Sequence, residues 1–337
     1  MIILTKQIMN KYKNKNILVT GGTGSIGLAL VKQLLSCKPK LIKILTNDEN
    51  SIFDARKILG ENKLIKYVVG DIRDKERCHL AVRNVNIVFH AAAMKHIDIC
   101  EQNPFDAVKT NVIGTSNMLE VSILEGITNF IFISTDKATN PTSTLGASKL
   151  LAERLTLDAG SSPENNKMIF TIARFGNVVG SRGSVFQIFN QQLRYNLPIT
   201  VTDSRMTRFI MSLSDAASMI LKIGHTAKNS ETFILKMPSV KIENFAKEMI
   251  QVYKKRNNLK INPKINISKI RYHERFHELL ITKDEIDFCH DVGDMYKISK
   301  KVNKKPLNYK QFNSSSASEI NNKKLQKIIN ELFDEVN

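Results

Sequence analysis

The sequence predicts an α/β protein built on a doubly wound parallel sheet, with a smaller mixed C-terminal domain behind it. Short apolar runs alternate with helix-like segments through the first half of the chain. A glycine-rich turn follows the first run, and the alternation stops near Gly176.

Residues 1–15 are polar and Lys- and Asn-rich after a short apolar start, and read as a poorly ordered leader. They lack the charged-then-apolar order of a secretory signal. Ile17-Leu18-Val19-Thr20 is the first strand, and Gly27 to Leu35 has helical spacing. Further strands are expected at Leu41 to Leu45, Lys66 to Val69, Val85 to His90, Phe130 to Ser134 and Met168 to Arg174. One long helix is expected over Pro104 to Glu125, and another over Gly146 to Leu157. These two are candidates for a helical seam between two copies of the chain. The expected division is a leader (1–15), a nucleotide-binding domain (16–176), a substrate domain (177–296) from which a strand can return to the sheet, and a basic tail (297–337). The tail ends in an amphipathic helix over Ser318 to Phe333.

Composition narrows the function. No apolar run approaches the ~20 residues that span a bilayer. Cys37, Cys78, Cys100 and Cys289 are scattered, with no CxxC pair. That predicts neither a disulfide framework nor a metal site, and it fits a cytoplasmic protein. The formal charge is +18 and the pI about 9.7. The excess is spread along the chain and reads first as compositional bias, with weak association with an anionic membrane surface as the alternative. Nucleic acid is not expected, because no basic surface is interleaved with aromatic residues.

Thr20-Gly21-Gly22-Thr23-Gly24-Ser25-Ile26-Gly27 ends a strand and opens a helix, as in a Rossmann dinucleotide-binding domain. Gly21, Gly24 and Gly27 would make the tight turn, admit a pyrophosphate and allow close helix packing. Thr23, Ser25 and Ile26 complete the loop, and the helix start offers N–H groups to phosphate. Asp48, after the second strand, is placed to hold ribose hydroxyls, with Arg56 and Lys57 as a less direct site for a 2′-phosphate. Asp71 and Ile72 are placed to meet adenine, and Ala91 and Ala92 to let the backbone run beside the cofactor. The cofactor is therefore NADP or NAD, and Asn47 leaves the choice open.

Thr135, Asp136 and Lys137 follow the fifth strand, at the carboxyl end where doubly wound sheets bind ligands. Lys149 follows on the next helix. A helix cap with a solvated lysine explains Thr135 to Lys137 equally well on local grounds.

The stretches TGGTGSIG (20–27), HAAAMKH (90–96), NPFDAVKTNVIGT (103–115), STDKATNPTSTLGASK (134–149), ARFGNVVGSRGSV (173–185) and PITVTDSRMTRFIMSL (198–213) run in one order over about 200 residues. With them the chain resembles an extended short-chain dehydrogenase/reductase of the polysaccharide-biosynthesis branch, which contains UDP-N-acetylglucosamine 4,6-dehydratases. The resemblance implies hydride loss from C4 of a UDP-sugar, removal of the C5 proton by Lys137, protonation of the departing C6 hydroxyl by Asp136, and hydride return to C6. Thr135 belongs to the same triplet, and Lys149 would hold the nicotinamide ribose. A lysine base near neutral pH needs desolvation or neighbouring cations, and an acid at Asp136 needs a low-dielectric pocket. Lys95, His96, Asn177, Arg182, Arg208, Arg271 and Glu274 would hold the sugar and UDP, and the resemblance implies an oligomer.

Two departures stand out. The superfamily's YxxxK tyrosine is Leu145 here, and Tyr272 and His273 replace the branch's Pro and Gly near Glu274. The alternatives to a dehydratase are a UDP-sugar C4 or C5 epimerase and a catalytically silent dinucleotide-binding protein.

Overall fold

The computed structural model describes residues 4–336 apart from 166, 260–262, 271–273, 301, 303–306 and 308–309. Its first element is a helix, α1 (Lys6–Tyr12), within the expected leader. Thr5 caps it, and the fully buried Tyr12 donates a 2.5 Å hydrogen bond to Leu221 O. The segment looks polar because Ile8 and Tyr12 alone carry its buried face.

The sheet follows. β1 (Asn16–Thr20) leads to α2 (Ser25–Ser36), β2 (Leu41–Thr46), α3 (Glu49–Leu59), β3 (Ile65–Val69), α4 (Lys75–Val82) and β4 (Ile87–His90). Ile17, Leu18 and Val19 are all buried, as expected of an interior parallel strand covered on both faces. Asp48 and Asp74 accept hydrogen bonds from the first turns of α3 and α4 and so set where those helices start.

After α5 (Ile97–Gln102), the expected long helix at 104–125 is segmented: α6 (Pro104–Val108), a π-turn (Lys109–Ile113) and α7 (Gly114–Leu124). The π-turn accommodates the buried Asn111, which accepts from Met94 N and donates to Met94 O and Ser148 Oγ. Apolar periodicity continues through the turn, so the pattern alone reads as one helix.

β5 (Asn129–Thr135), α8 (Thr144–Ser161) and β6 (Ile169–Phe175) complete the strand order 3-2-1-4-5-6, the dinucleotide-binding arrangement. The second half contributes β7 (Asn177–Val178), α9 (Val185–Arg194), β8 (Ile199–Val201), β9 (Thr207–Met211), α10 (Leu213–Thr226), β10 (Glu231–Leu235), β11 (Ser239–Lys241), α11 (Ile242–Asn257) and β12 (Ile265–Ile267). After them come β13 (Leu279–Ile281), β14 (Cys289–Asp291), β15 (Met295–Ile298), β16 (Phe312–Asn313) and α12 (Asn322–Val336).

β10 joins β6 in parallel, and β15 and β14 extend the sheet antiparallel to nine strands. Within 177–296, β10, β14 and the first half of β15 lie in the main sheet. The helix at the end of 297–337 packs inward: Leu325, Ile329, Leu332 and Phe333 of α12 are buried in the second lobe with Phe186, Phe189 and Phe245. α12 starts after the expected Ser318, because Glu319 bridges to Ser239 as extended chain. Among the described residues no helix is long and apolar enough to cross a membrane.

Candidate active site

The turn after β1 is built for glycine. Gly21 has φ +60°, and its N–H donates to Leu45 O at 2.8 Å. A Cβ there would stand 2.9 Å from Ala92 Cα, and one at Gly27 would stand 2.3 Å from Gly21 O. Gly24 begins α2 without a side-chain cap, which leaves the first-turn N–H groups to a ligand. This cradle fits the diphosphate of a dinucleotide. Thr23 Oγ1 bonds Thr46 Oγ1 at 3.1 Å and accepts from Ser51 Oγ at 2.8 Å, which ties the turn to β2 and α3. Ala91 N donates to Thr20 O, and Ala92 N to Thr20 Oγ1. His90 is wedged between Thr20 Oγ1 and Thr115 Oγ1, and burial, then the charge of Lys149, pulls it down to about 3. It stays neutral and structural.

At the adenosine end Asp48 Oδ1 is occupied in capping α3. Asn47 Nδ2 donates to Asp71 Oδ2 at 3.2 Å, and Arg73 forks onto the same carboxylate while reaching Asp106. Burial pushes Asp71 up, but Arg73 and Asn47 outweigh it and hold it below the usual range. Arg56 and Lys57 lie over the rings of Tyr67 and Phe53. Ile72 is buried beneath Gly114 rather than open to a ring.

Thr135, Asp136 and Lys137 leave β5 in a single 3₁₀ turn. Thr135 Oγ1 accepts from Lys137 N, as a cap would, and donates to Asp136 Oδ1 at 2.9 Å. The triplet is nevertheless not a solvated cap. Asp136 is fully buried, Lys137 Nζ lies 3.1 Å from Asp136 Oδ1 and 3.5 Å from Glu278 Oε1, and Asp136 Oδ2 has no partner among the described residues. Burial pushes Asp136 above the usual carboxylate range against the pull of Lys137. Burial lowers Lys137, but Asp136 and Glu278 outweigh it and hold it above an ordinary lysine.

The lysine brought near neutrality is instead Lys149, at about 7, because burial outweighs the pull of Glu153. Its Nζ donates to Ile133 O at 2.7 Å and lies 4.0 Å from the Phe132 ring centre. Leu145, at the superfamily's tyrosine position, packs with Cys100 and Ala107 and has no hydroxyl of its own to offer.

A cavity of about 420 Å³ opens beside Lys137, lined by Asn177, Arg208, Glu274, Arg275 and Glu278, with Phe189 and Phe245 toward the second lobe. Arg208 Nη2 lies 3.4 Å from Glu274 Oε1. Three other predicted substrate residues sit elsewhere, against the glycine turn. Lys95 Nζ donates to Arg182 O, Arg182 N donates to Ser25 Oγ at 3.0 Å, and His96 packs on Gly183. Arg271 lies outside the described residues. The sequence reading missed Glu278 and Arg275, although both fall within the segment that holds Glu274.

The family described as polysaccharide biosynthesis protein matches residues 17–300. A Methanocaldococcus jannaschii chain described as an uncharacterized membrane protein is 44% identical, with 97% of this chain and 98% of that one covered. A UDP-N-acetylglucosamine 4,6-dehydratase (inverting) of Campylobacter jejuni is 39% identical, with 86% and 84% covered. A UDP-glucose 4-epimerase of Rickettsia bellii is 34% identical, with 89% and 87% covered. The X-ray structure of Pen from Bacillus thuringiensis superposes with a TM-score of 0.87 at 36% identity, covering 95% and 98%. With the strand order, the glycine turn and the Asp136–Lys137 pair at the sheet's carboxyl edge, these likenesses have one reading. The chain belongs to the polysaccharide biosynthesis family, the nucleotide-sugar dehydratases and epimerases of the extended short-chain dehydrogenase/reductase fold.

Proposed function

We propose that the chain is an NAD(P)-dependent 4,6-dehydratase acting on a UDP-N-acetylhexosamine, UDP-N-acetylglucosamine foremost. The observation that carries this reading is the buried carboxyl and amine side by side at the edge of the cavity. When bound, the nicotinamide supplies the hydride acceptor for C4 and the hydride donor for C6. Lys137, charged at rest beside Asp136 and Glu278, takes the C5 proton from its minor neutral form, and Asp136, whose hold on a proton burial strengthens, gives that proton to the C6 oxygen so that water leaves. Lys149 holds the nicotinamide ribose. Thr135 or a bound water takes the C4 hydroxyl proton, because Leu145 cannot. Arg208, with Asn177 and Glu274, holds the UDP portion beside the cavity, and Lys95, His96 and Arg182 close over the diphosphates.

An epimerase is the rival reading, but isomerisation at C4 needs no acid at C6, and the Asp136–Lys137 pair supplies one. Incubation with UDP-N-acetylglucosamine is expected to give a product lighter by one water in mass spectrometry. An isomer of unchanged mass would transfer the assignment to an epimerase, and unaltered sugar would remove both.

The adenosine end favours NAD. A 2′-phosphate would meet the neutral Asn47 and the carboxylates of Asp48 and Asp71, while Arg73 is already neutralised by Asp71 and Asp106. Equilibrium dialysis is expected to give NAD at least a tenfold advantage, about 1.4 kcal/mol. The Asn47→Arg variant should erase it, and equal binding of both dinucleotides by the wild type would refute the reading.

The four cysteines are buried, which suits a reducing compartment such as the cytoplasm. The helices around α8 expose Phe105, Val108, Ile113 and Leu151, and we assign that surface to contact with a second copy of the chain.

A further inference from the structure

Two carboxyl groups share one lysine at the cavity, and their other neighbours differ. Glu278 Oε1 lies 3.5 Å from Lys137 Nζ and 3.6 Å from Arg208 Nε. Arg275, whose guanidinium donates to Thr139 O, adds a third positive charge near it. The Glu278 backbone is clamped from both sides by Ser314: its N–H donates to Ser314 Oγ at 2.9 Å, and its carbonyl accepts from Ser314 N at 2.8 Å. Among the described residues Asp136 is paired with no cation but Lys137, and Gly176 closes against its Oδ2 so tightly that a Cβ there would stand 2.9 Å away.

Two buried carboxylates cannot both be ionised cheaply beside one ammonium. The proton settles on the carboxyl with fewer cations, which is Asp136, and the charge on the one flanked by arginines, which is Glu278. Burial raises Glu278, but Lys137, Arg208 and Arg275 more than reverse it, whereas Asp136 stays raised.

We propose that Glu278 is a positioning residue: it supplies the negative charge that balances the Lys137 ammonium and so leaves Asp136 free to carry the proton. The catalytic meaning of this rests on the dehydratase reading. Once Lys137 has taken the C5 proton, its ammonium faces Glu278, as the protonated base of a catalytic triad faces its carboxylate. Glu278 thereby makes Lys137 a stronger base and also raises the pH at which it becomes neutral. Asp136, held uncharged, gives its proton to the leaving oxygen.

The test reads Lys137 directly in the full chain, by the pH dependence of its acylation with an amine-selective reagent, followed by peptide mass spectrometry. Glu278→Gln is expected to lower the half-labelling pH by about one unit. Glu278→Asp keeps the charge and is expected to stay near the wild type, and it also serves if the Gln variant folds poorly. In turnover, Glu278→Gln should move the rising alkaline limb of kcat toward acid and lower its plateau about tenfold, with KM little changed. A half-labelling pH that does not move in Glu278→Gln, or that moves equally in Glu278→Asp, overturns the proposal. If the wild type releases no water while the labelling shift is present, the Glu278–Lys137 pairing stands and the dehydratase reading falls.

Discussion

Asp136→Asn is expected to lower water release from the nucleotide sugar by about 10³-fold, while dinucleotide binding stays at the wild-type level. Asparagine has nearly the size of the carboxyl it replaces, so the bonds from Thr135 and Lys137 to the Oδ1 position can persist. What it lacks is a transferable proton. The consequence is selective: Lys137 still removes the C5 proton, so solvent deuterium should still wash into C5 of recovered substrate in D₂O. Lys137→Met should abolish both the wash-in and the water release. An Asp136→Asn enzyme that releases water at the wild-type rate would show that the C6 oxygen is protonated by another group.

The second large effect concerns stability. Arg174 on β6 is almost fully buried. Its guanidinium forks onto Glu153 of α8 at 3.0 and 2.6 Å, reaches Glu285 at 2.9 Å, and donates to Leu280 O at 3.1 Å. Burial works against the Arg174 charge, but the two glutamates outweigh it and hold the pKa far above an ordinary arginine. One side chain thus ties the central sheet, the helix that carries Lys149, and the turn after β13. Glu153→Ala leaves a buried cation under-compensated, so the unfolding free energy should fall by about 3–5 kcal/mol in urea titration. Replacing Arg174 and Glu153 together by Met and Leu should recover much of that loss, since well-packed apolar groups often substitute for a buried ion pair at little cost. A loss under about 1 kcal/mol in Glu153→Ala would show that Glu285 alone suffices.

The six parallel strands lie within two residues of where the apolar runs place them, because each run is short, β-branched and bounded by turn residues. The glycine turn was legible for a stronger reason: Gly21 and Gly27 are required by distances of under 3 Å to backbone atoms, and no other residue type serves. What was not legible depends on tertiary contact. Nothing near Tyr12 announces that its hydroxyl will bond a carbonyl 209 positions away. Asp48 carries the signal of a helix cap and of a ribose ligand, and only the fold shows it capping. Lys137 departs from the expected base poised near neutral pH because Asp136 beside it and Glu278 from a distant segment outweigh burial, while Lys149 is lowered by burial that only the fold creates. Glu278 itself went unread because a glutamate in a half-polar strand approach has no local mark. Its meaning comes from standing beside a lysine 141 positions earlier.

The main sheet runs through both halves of the molecule: β10, β15 and β14 continue the same hydrogen-bonded ladder that delivers Asp136 at the end of β5. Movement of β10, β15 or β14 against β5 would have to shear that ladder, whereas the stretch from Gly180 to Ser184 lies at the surface outside it. That stretch has positive φ at Gly180 and Gly183 and is fastened to the glycine turn by one backbone bond to Ser25. The frame that carries Asp136 is therefore a single continuous piece.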